Sequence, residues 1–275
     1  MVSRTKKLLA EYPNCVFCGG REPATSRDHQ PPKIYFREKA FPHGYDEFSA
    51  CEKCNNGFSA VEHLTAYFVR IFDADNDAYS EEDTERLFSY IRNNFPDLKP
   101  REFSWANDVR RTLRNMGKRK PSDTLSYDIP VVLFDYNIVK ICEPSFRKIT
   151  KALYFKHMKK IAPVEGAVQT IVEFNISVSD RYLENKFADI LSKPVNTVPH
   201  KRTPAKNFRY KWDYNESQRV FGCLMEFGSA CHVMGAVVED QSLVKHQTRH
   251  PWQSVIEGAP DAKALLEDNR LGELS

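Results

Sequence analysis

The sequence predicts an α+β protein in which a small cysteine-stapled N-terminal unit precedes a larger mixed α/β unit. Three observations predict it. Two Cys-x-x-Cys pairs, Cys15/Cys18 and Cys51/Cys54, bracket a stretch rich in prolines and aromatics that lacks helical periodicity. After Gly57, Phe58, Val61, Leu64, Tyr67, Phe68 and Ile71 recur mostly at steps of three and four, the repeat of an amphipathic helix. Beyond residue 122, strand-like and helix-like runs are mixed, as an α+β unit requires.

Taken in order, residues 4–11 read as a short lead-in helix. Pro13 and Asn14 turn the chain into Cys15-Val16-Phe17-Cys18-Gly19-Gly20, where a tight glycine turn aims two thiolates at one ion. Residues 23–50 read as loops and short strands. Ser80 followed by Glu81, Glu82 and Asp83 reads as a helix cap with an acidic first turn. That helix extends to about Asn94, and Pro96 and Pro100 close it. A further helix is expected over 104–116, then a polar basic linker from Lys118 to Ser122. In the second half, 129–141 and 167–177 read as strands, 145–161 as a basic helix and 180–191 as another helix. Strand-like runs at 207–213, 219–227 and 231–239 follow. The expected divisions are 1–75, a basic helical connection at 76–122, and an accessory α+β unit at 123–275.

With 275 residues and a net charge of +3, global charge excludes neither acidic nor basic partners. Its distribution is uneven. Residues 73–85 hold seven acids and no base, 98–120 hold eight Lys/Arg against two acids, and 199–212 hold five Lys/Arg and no acid. Arg110, Arg111, Arg114, Lys118, Arg119 and Lys120 are therefore candidate phosphate contacts; the alternative is a solvated basic face. In the run 206–212, Phe208, Tyr210 and Trp212 alternate with Arg209 and Lys211. It is either an amphipathic strand with a buried aromatic face or a stacking platform for single strands. No apolar run reaches the roughly 20 residues of a membrane helix, and no signal peptide is apparent, so a cytoplasmic location and no membrane partner are expected.

Of the seven cysteines, four have metal-ligand spacing, with 32 residues between the two pairs. Four thiolates in a tetrahedron suit a structural Zn²⁺. Cys142, Cys223 and Cys231 lack such spacing and are expected to be buried thiols. A redox role for the pairs is disfavoured because no βαβ pattern surrounds them.

Between and beside the cysteine pairs stand Asp28-His29-Gln30-Pro31-Pro32 and Asn55-Asn56. Cys-x-x-Cys, Asp-His-x-x-Pro, then Cys-x-x-Cys-Asn resembles the HNH endonucleases in their zinc-stapled variants, above all in Cys51–Ser59, CEKCNNGFS. The resemblance covers about residues 12–72, a quarter of the chain. It implies a ββα-metal, treble-clef-like nuclease domain that hydrolyses phosphodiesters. In the family's pattern, His29 is the general base on a water, and an imidazole titrating near ~6.5 is suited to that. Asp28 on the other strand face and Asn55 at the helix start hold one Mg²⁺ or Mn²⁺, hard ions that favour such oxygen donors. Asn56 is the poorer alternative, about 100° round the helix.

The sequence departs from the family in two places. Where a Lys or His often follows in the helix, Phe58 and Ser59 stand. Glu62 and His63, two turns on, either supplement the metal shell or face solvent and pack along the helix, respectively. The family's middle Asn is missing, and Asp46, Ser49 or His43 would have to do its work. His157, His200, His232, His246 and His250 have no ligand spacing. The resemblance further implies DNA as partner, with RNA open, and a homodimer if both strands are cut at once. By analogy it also implies a phage, mobile-element or anti-phage setting. The alternative function is a non-catalytic zinc module that binds nucleic acid or protein.

Overall fold

The computed structural model describes residues 3–36, 46–72, 81–98, 136–174, 196–197, 208–228, 231–243, 253–256 and 258–270. The described chain is mixed α+β with two antiparallel sheets. Helix α1 (Arg4–Glu11) begins at the Ser3 cap, whose hydroxyl accepts from the Lys6 amide. Strands β1 (Ser26–His29) and β2 (Glu47–Ala50) form an antiparallel pair. Helices α2 (Glu52–Asn56) and α3 (Ser59–Phe72) follow, and then α4 (Glu81–Asn94). The predicted lead-in helix, the helix after Gly57 and the helix ending at Asn94 are all present.

The second sheet has six strands in the order β4–β5–β6–β7–β3–β8. Its members are β3 (Ala167–Phe174), β4 (Asn196–Thr197), β5 (Phe208–Asn215), β6 (Val220–Phe227), β7 (Cys231–Val238) and β8 (Gln253–Ser254). Every pairing is antiparallel. Against it packs α5 (Ile138–Met158), and α6 (Ala262–Asp268) ends the described chain. Gly235 in β7 marks the closest approach: a Cβ there would lie 2.2 Å from Thr150 Oγ1 of α5. The strands expected near 167, 207, 219 and 231 are thus observed within a residue or two.

The strand expected over 129–141 is corrected at its described end. Residues 138–141 begin α5, capped by Asn137, whose side chain accepts from the Lys140 amide at 3.3 Å. The β-branched run resembles a strand locally, but the cap turns Ile138 and Ile141 into the first turns of a core helix. The helix read from Ser145 therefore starts seven residues earlier, and it ends at Met158 with Lys159 left-handed at φ 56°. Its basic residues are no solvated face: Arg147, Lys148 and Lys151 are buried. The helices expected at 104–116 and 180–191 lie outside the described residues. So do the basic candidates Arg110, Arg111, Arg114, Lys118, Arg119 and Lys120.

One buried apolar cluster includes Tyr35, Leu64 and Phe68, then Phe146 and Leu153 of α5, then Phe221 and Val233 of the large sheet. The Phe146 ring packs against both Tyr35 and Phe227. A second, smaller cluster surrounds the four cysteines with Phe17, Phe48, Ala152 and Phe155. The α5 helix thus borders both clusters, and through it the N-terminal hairpin and the large sheet share their packing. Cys142, Cys223 and Cys231 are buried, as expected. Among the described residues, no helix is long and apolar enough to cross a membrane.

Candidate functional site

The four cysteines form a buried cluster whose sulfurs all lie within 4.8 Å of one another. Two local structures bring them together. The first knuckle closes by the Gly20 amide donating to the Cys15 carbonyl at 3.0 Å, with Gly19 and Gly20 at φ 69° and 76°. Left-handed backbone of this kind suits glycine. In the second, Cys51 caps α2 and Cys54 lies inside its single turn. The Phe17 amide donates to Cys15 Sγ at 3.4 Å, a bond that stabilises a thiolate. Around a Zn²⁺ with bonds near ~2.3 Å, ideal tetrahedral sulfurs stand about 3.8 Å apart, so this donor set fits zinc. The crowded thiols of Cys15, Cys18 and Cys54 share protons unevenly. Hydrogen bonds from Cys15 and then Cys54 pull the Cys18 thiol far down, while Cys15 and Cys54 are pushed up.

The cysteine cluster joins the first knuckle to the start of α2 just after β2, and Asp28, His29 and Asn55 lie on the adjoining β1 and α2. Asp28 and His29 are neighbours on β1 and point to opposite faces. His29 faces its cross-strand partner Glu47, with Nε2 3.1 Å from Oε1. Glu47 is itself held by Arg27 and Arg4, each at 2.8 Å. The imidazole is 19% exposed. Burial first, then the Lys33 charge, lower its pKa, against the raising effect of Glu47; at neutral pH it is an uncharged base.

On the other face, Asp28 is 8% exposed and meets a side chain that sequence reasoning had not singled out. Lys148 of α5 reaches in, its Nζ 2.6 Å from Asp28 Oδ2 and 2.8 Å from Glu62 Oε1. The lysine side chain is 1% exposed and the Glu62 side chain 13%. Its ammonium also lies over the Phe17 and Phe58 rings, 5.2 and 4.9 Å from their centroids. Desolvation pulls its pKa down, but the two carboxylates outweigh that and raise it, so the amine stays charged. Gln30 Nε2 donates to the same Asp28 oxygen at 3.2 Å. Asn55 Nδ2 donates to Ser26 Oγ at 3.0 Å, and Ser26 shares the Asp28 face of β1.

The structure therefore brings Asp28, Glu62 and Lys148 together and sets Asn55 on the same strand face. Glu62 is half-buried and turned into the cluster, where it pairs with Lys148. His63 stands apart: its Nδ1 lies 2.6 Å from the Ser59 carbonyl and its ring stacks on Tyr90. Asn56 is exposed. Ser49 Oγ donates to the Asn14 carbonyl at 2.9 Å, tying β2 to the first knuckle, while the Asp46 carboxylate pairs with Lys156 at 2.5 Å. His43, His200, His246 and His250 lie outside the described residues. His232 is buried, and His157 stacks on Trp212. Phe208 and Tyr210 are buried, Phe208 packing on Phe36 and Phe227, and the half-buried Trp212 stacks on His157, so the first two rings of this aromatic face belong to the core.

The carboxylates of Asp28 and Glu62 are hard oxygen donors that already grip a cationic nitrogen, and Asn55 of α2 is tied through its Nδ2 to Ser26 on the Asp28 face of β1. That chemistry fits Mg²⁺ or Mn²⁺, provided the ammonium gives way. Two features escaped sequence reasoning: Glu47, because strand register sets it opposite His29, and Lys148, because only the packing of α5 turns it inward. Set against known proteins, the chain matches no family model, no curated protein and no solved structure.

Proposed function

We propose that the protein is a metal-dependent endonuclease that hydrolyses phosphodiester bonds of DNA at the β1–β2–α2 junction. One observation carries this reading. Adjacent residues of β1 present a neutral imidazole aligned by a carboxylate, His29 with Glu47 at 3.1 Å, and a carboxylate that grips a cation, Asp28 with Lys148 at 2.6 Å. A base with its orienting partner beside a cation-binding carboxylate is the constellation that activates water next to a phosphate.

In the tautomer whose Nε2–H donates to Glu47, His29 Nδ1 carries the basic lone pair that takes a proton from the attacking water. Glu47 holds the ring in place and stabilises the imidazolium that results. Asp28, with Glu62 and Asn55 as further donors, would hold the divalent ion. When bound, such an ion neutralises charge developing on the phosphate and on the leaving oxygen. The cysteine cluster holds the scaffold: zinc there would fix the first knuckle to the β2–α2 junction.

The test is cleavage of supercoiled plasmid by the full chain with Mg²⁺ or Mn²⁺ against EDTA, with His29→Ala alongside. Cutting that requires the metal and falls by about 10²-fold or more in the variant is expected. Equal cutting by His29→Ala would remove His29 from the base role. A second reading has its own support, because Lys148 closes both carboxylates: a zinc-held module that binds nucleic acid without cutting. A gel shift with no cleavage under any metal would select it.

A further inference from the structure

We infer that Lys148 is a built-in competitor for a divalent cation at the Asp28–Glu62 site, so that the ion binds only by displacing the ammonium supplied by α5. The inference rests on reading Asp28 as a metal ligand in the proposed nuclease, and it adds a residue and a control step that neither the motif nor its resemblance contains.

The charge count is the first reason. Two carboxylates contact one ammonium in a largely buried cluster, so with all three groups ionised it carries one negative charge in excess. A doubly charged ion in the same position balances it. The geometry is the second reason. The ammonium nitrogen stands 2.6 and 2.8 Å from one oxygen of each carboxylate, so both oxygens already converge on a single point. To ligate Mg²⁺ at roughly 2.0–2.1 Å, the two would close by about 0.5–0.8 Å, a small side-chain adjustment. Gln30 is the third reason. Its side chain is buried, its Nε2 donates to Asp28, and its Oε1 has no hydrogen-bond partner. A half-turn of the amide exchanges the two ends and offers that orphaned oxygen as a third hard donor.

The ion and the ammonium need the same oxygens, so they exclude each other. By reciprocity, an ion that displaces Lys148 weakens the bond between α5 and the hairpin, and tighter seating of α5 weakens the ion. Because α5 also carries the packing of the large sheet, anything that moves that sheet acts on metal loading.

The test uses the full-length, zinc-loaded chain and Mn²⁺ alone as probe, with free Mn²⁺ followed by paramagnetic resonance. Lys148→Met is expected to bind one Mn²⁺ at least about tenfold more tightly than the wild type, the scale on which groups touching metal ligands alter affinity. Adding Asp28→Asn is expected to abolish the gain. Equal affinity in wild type and Lys148→Met, or a gain that survives Asp28→Asn, would overturn the inference. Should Lys148→Met fail to fold, the wild type decides: reductive methylation, read by mass spectrometry, should leave Lys148 unmodified without Mn²⁺ and label it when Mn²⁺ saturates the site. A labelling rate indifferent to Mn²⁺ refutes the competition. Displacement of Lys148 without cleavage of any nucleic acid would keep this inference and remove the nuclease reading. Metal-dependent cleavage with Lys148 still protected would do the reverse.

Discussion

The region up to residue 72 and the region from 167 to 254 are held by different means. The first has a two-stranded hairpin of four residues per strand, and its interior includes polar groups: Asp28, Gln30 and Ser49 are buried, and Lys148 enters from outside. The second has strands of up to eight residues, and β7 is buried along its whole length. A short hairpin removes too little apolar surface from water to offset the entropy of ordering its chain. It is held instead by four sulfurs and by an ion-pair cluster. The long strands bury enough apolar area to need no such staple, and the ion pairs of Glu239 with Lys160 and Arg219 add to packing that is already extensive. In the weakly apolar region the charged groups of Asp28, Glu62 and Lys148 converge and are themselves part of what holds the hairpin.

The largest effect should come from the staple. Cys54→Ser, or removal of zinc by a chelator, is expected to strip hydrogen-exchange protection from 26–29 and 47–50 while 220–238 keep most of theirs. Structural zinc contributes on the order of 10 kcal/mol to sites of this kind. Equal loss in both regions would break the contrast, and an unchanged melting curve would refute the staple.

Next in size is Phe146→Ala. The ring is fully buried between Tyr35 and Phe227, so the cavity should cost about 3–5 kcal/mol in denaturant unfolding and couple the two regions. A loss under ~1 kcal/mol would mean that α5 does not join them. Gly235→Ala is expected to cost about 1–3 kcal/mol, because the new methyl collides with Thr150. Thr150→Ala in that background should recover part of the loss, and no recovery would place the clash elsewhere.

The smallest effect is a pH dependence in the large-sheet region. Burial pushes Glu239 up, but hydrogen bonds from Lys160, Tyr154, Tyr214 and Arg219 outweigh it and hold the carboxyl at about 2. A carboxyl whose folded pKa lies below its unfolded value stabilises the fold fully above the unfolded pKa of ~4.5. That contribution is lost as pH falls from there toward 2. Glu239→Gln should therefore be less stable at pH 7 and lose less on acidification. Parallel stability curves for the two proteins would remove Glu239 from the account.

Much of this was legible beforehand, for reasons tied to particular residues. Cys-x-x-Cys spacing is a local constraint, so Cys15, Cys18, Cys51 and Cys54 could be grouped without a fold. Periodicity marked α3, since the apolar face of a helix repeats in sequence. Alternation on β1 separated Asp28 from His29. The start of α5 was misread because a β-branched run followed by Asn137 satisfies both a strand and a capped helix, and only packing on the sheet chooses.

By itself, then, the sequence determined the grouping of Cys15, Cys18, Cys51 and Cys54 and the mixed α+β class, because spacing and periodicity are chain-local, while the trio Asp28, His29 and Asn55 was singled out by the resemblance. The partners of that trio were decided by tertiary structure alone. Glu47 meets His29 through the register of the β1–β2 pair, and Lys148 meets Asp28 across 120 residues because α5 lies against the hairpin. A buried lysine and a surface lysine have the same letter, and which of them turns inward depends on where two carboxylates wait when the core closes.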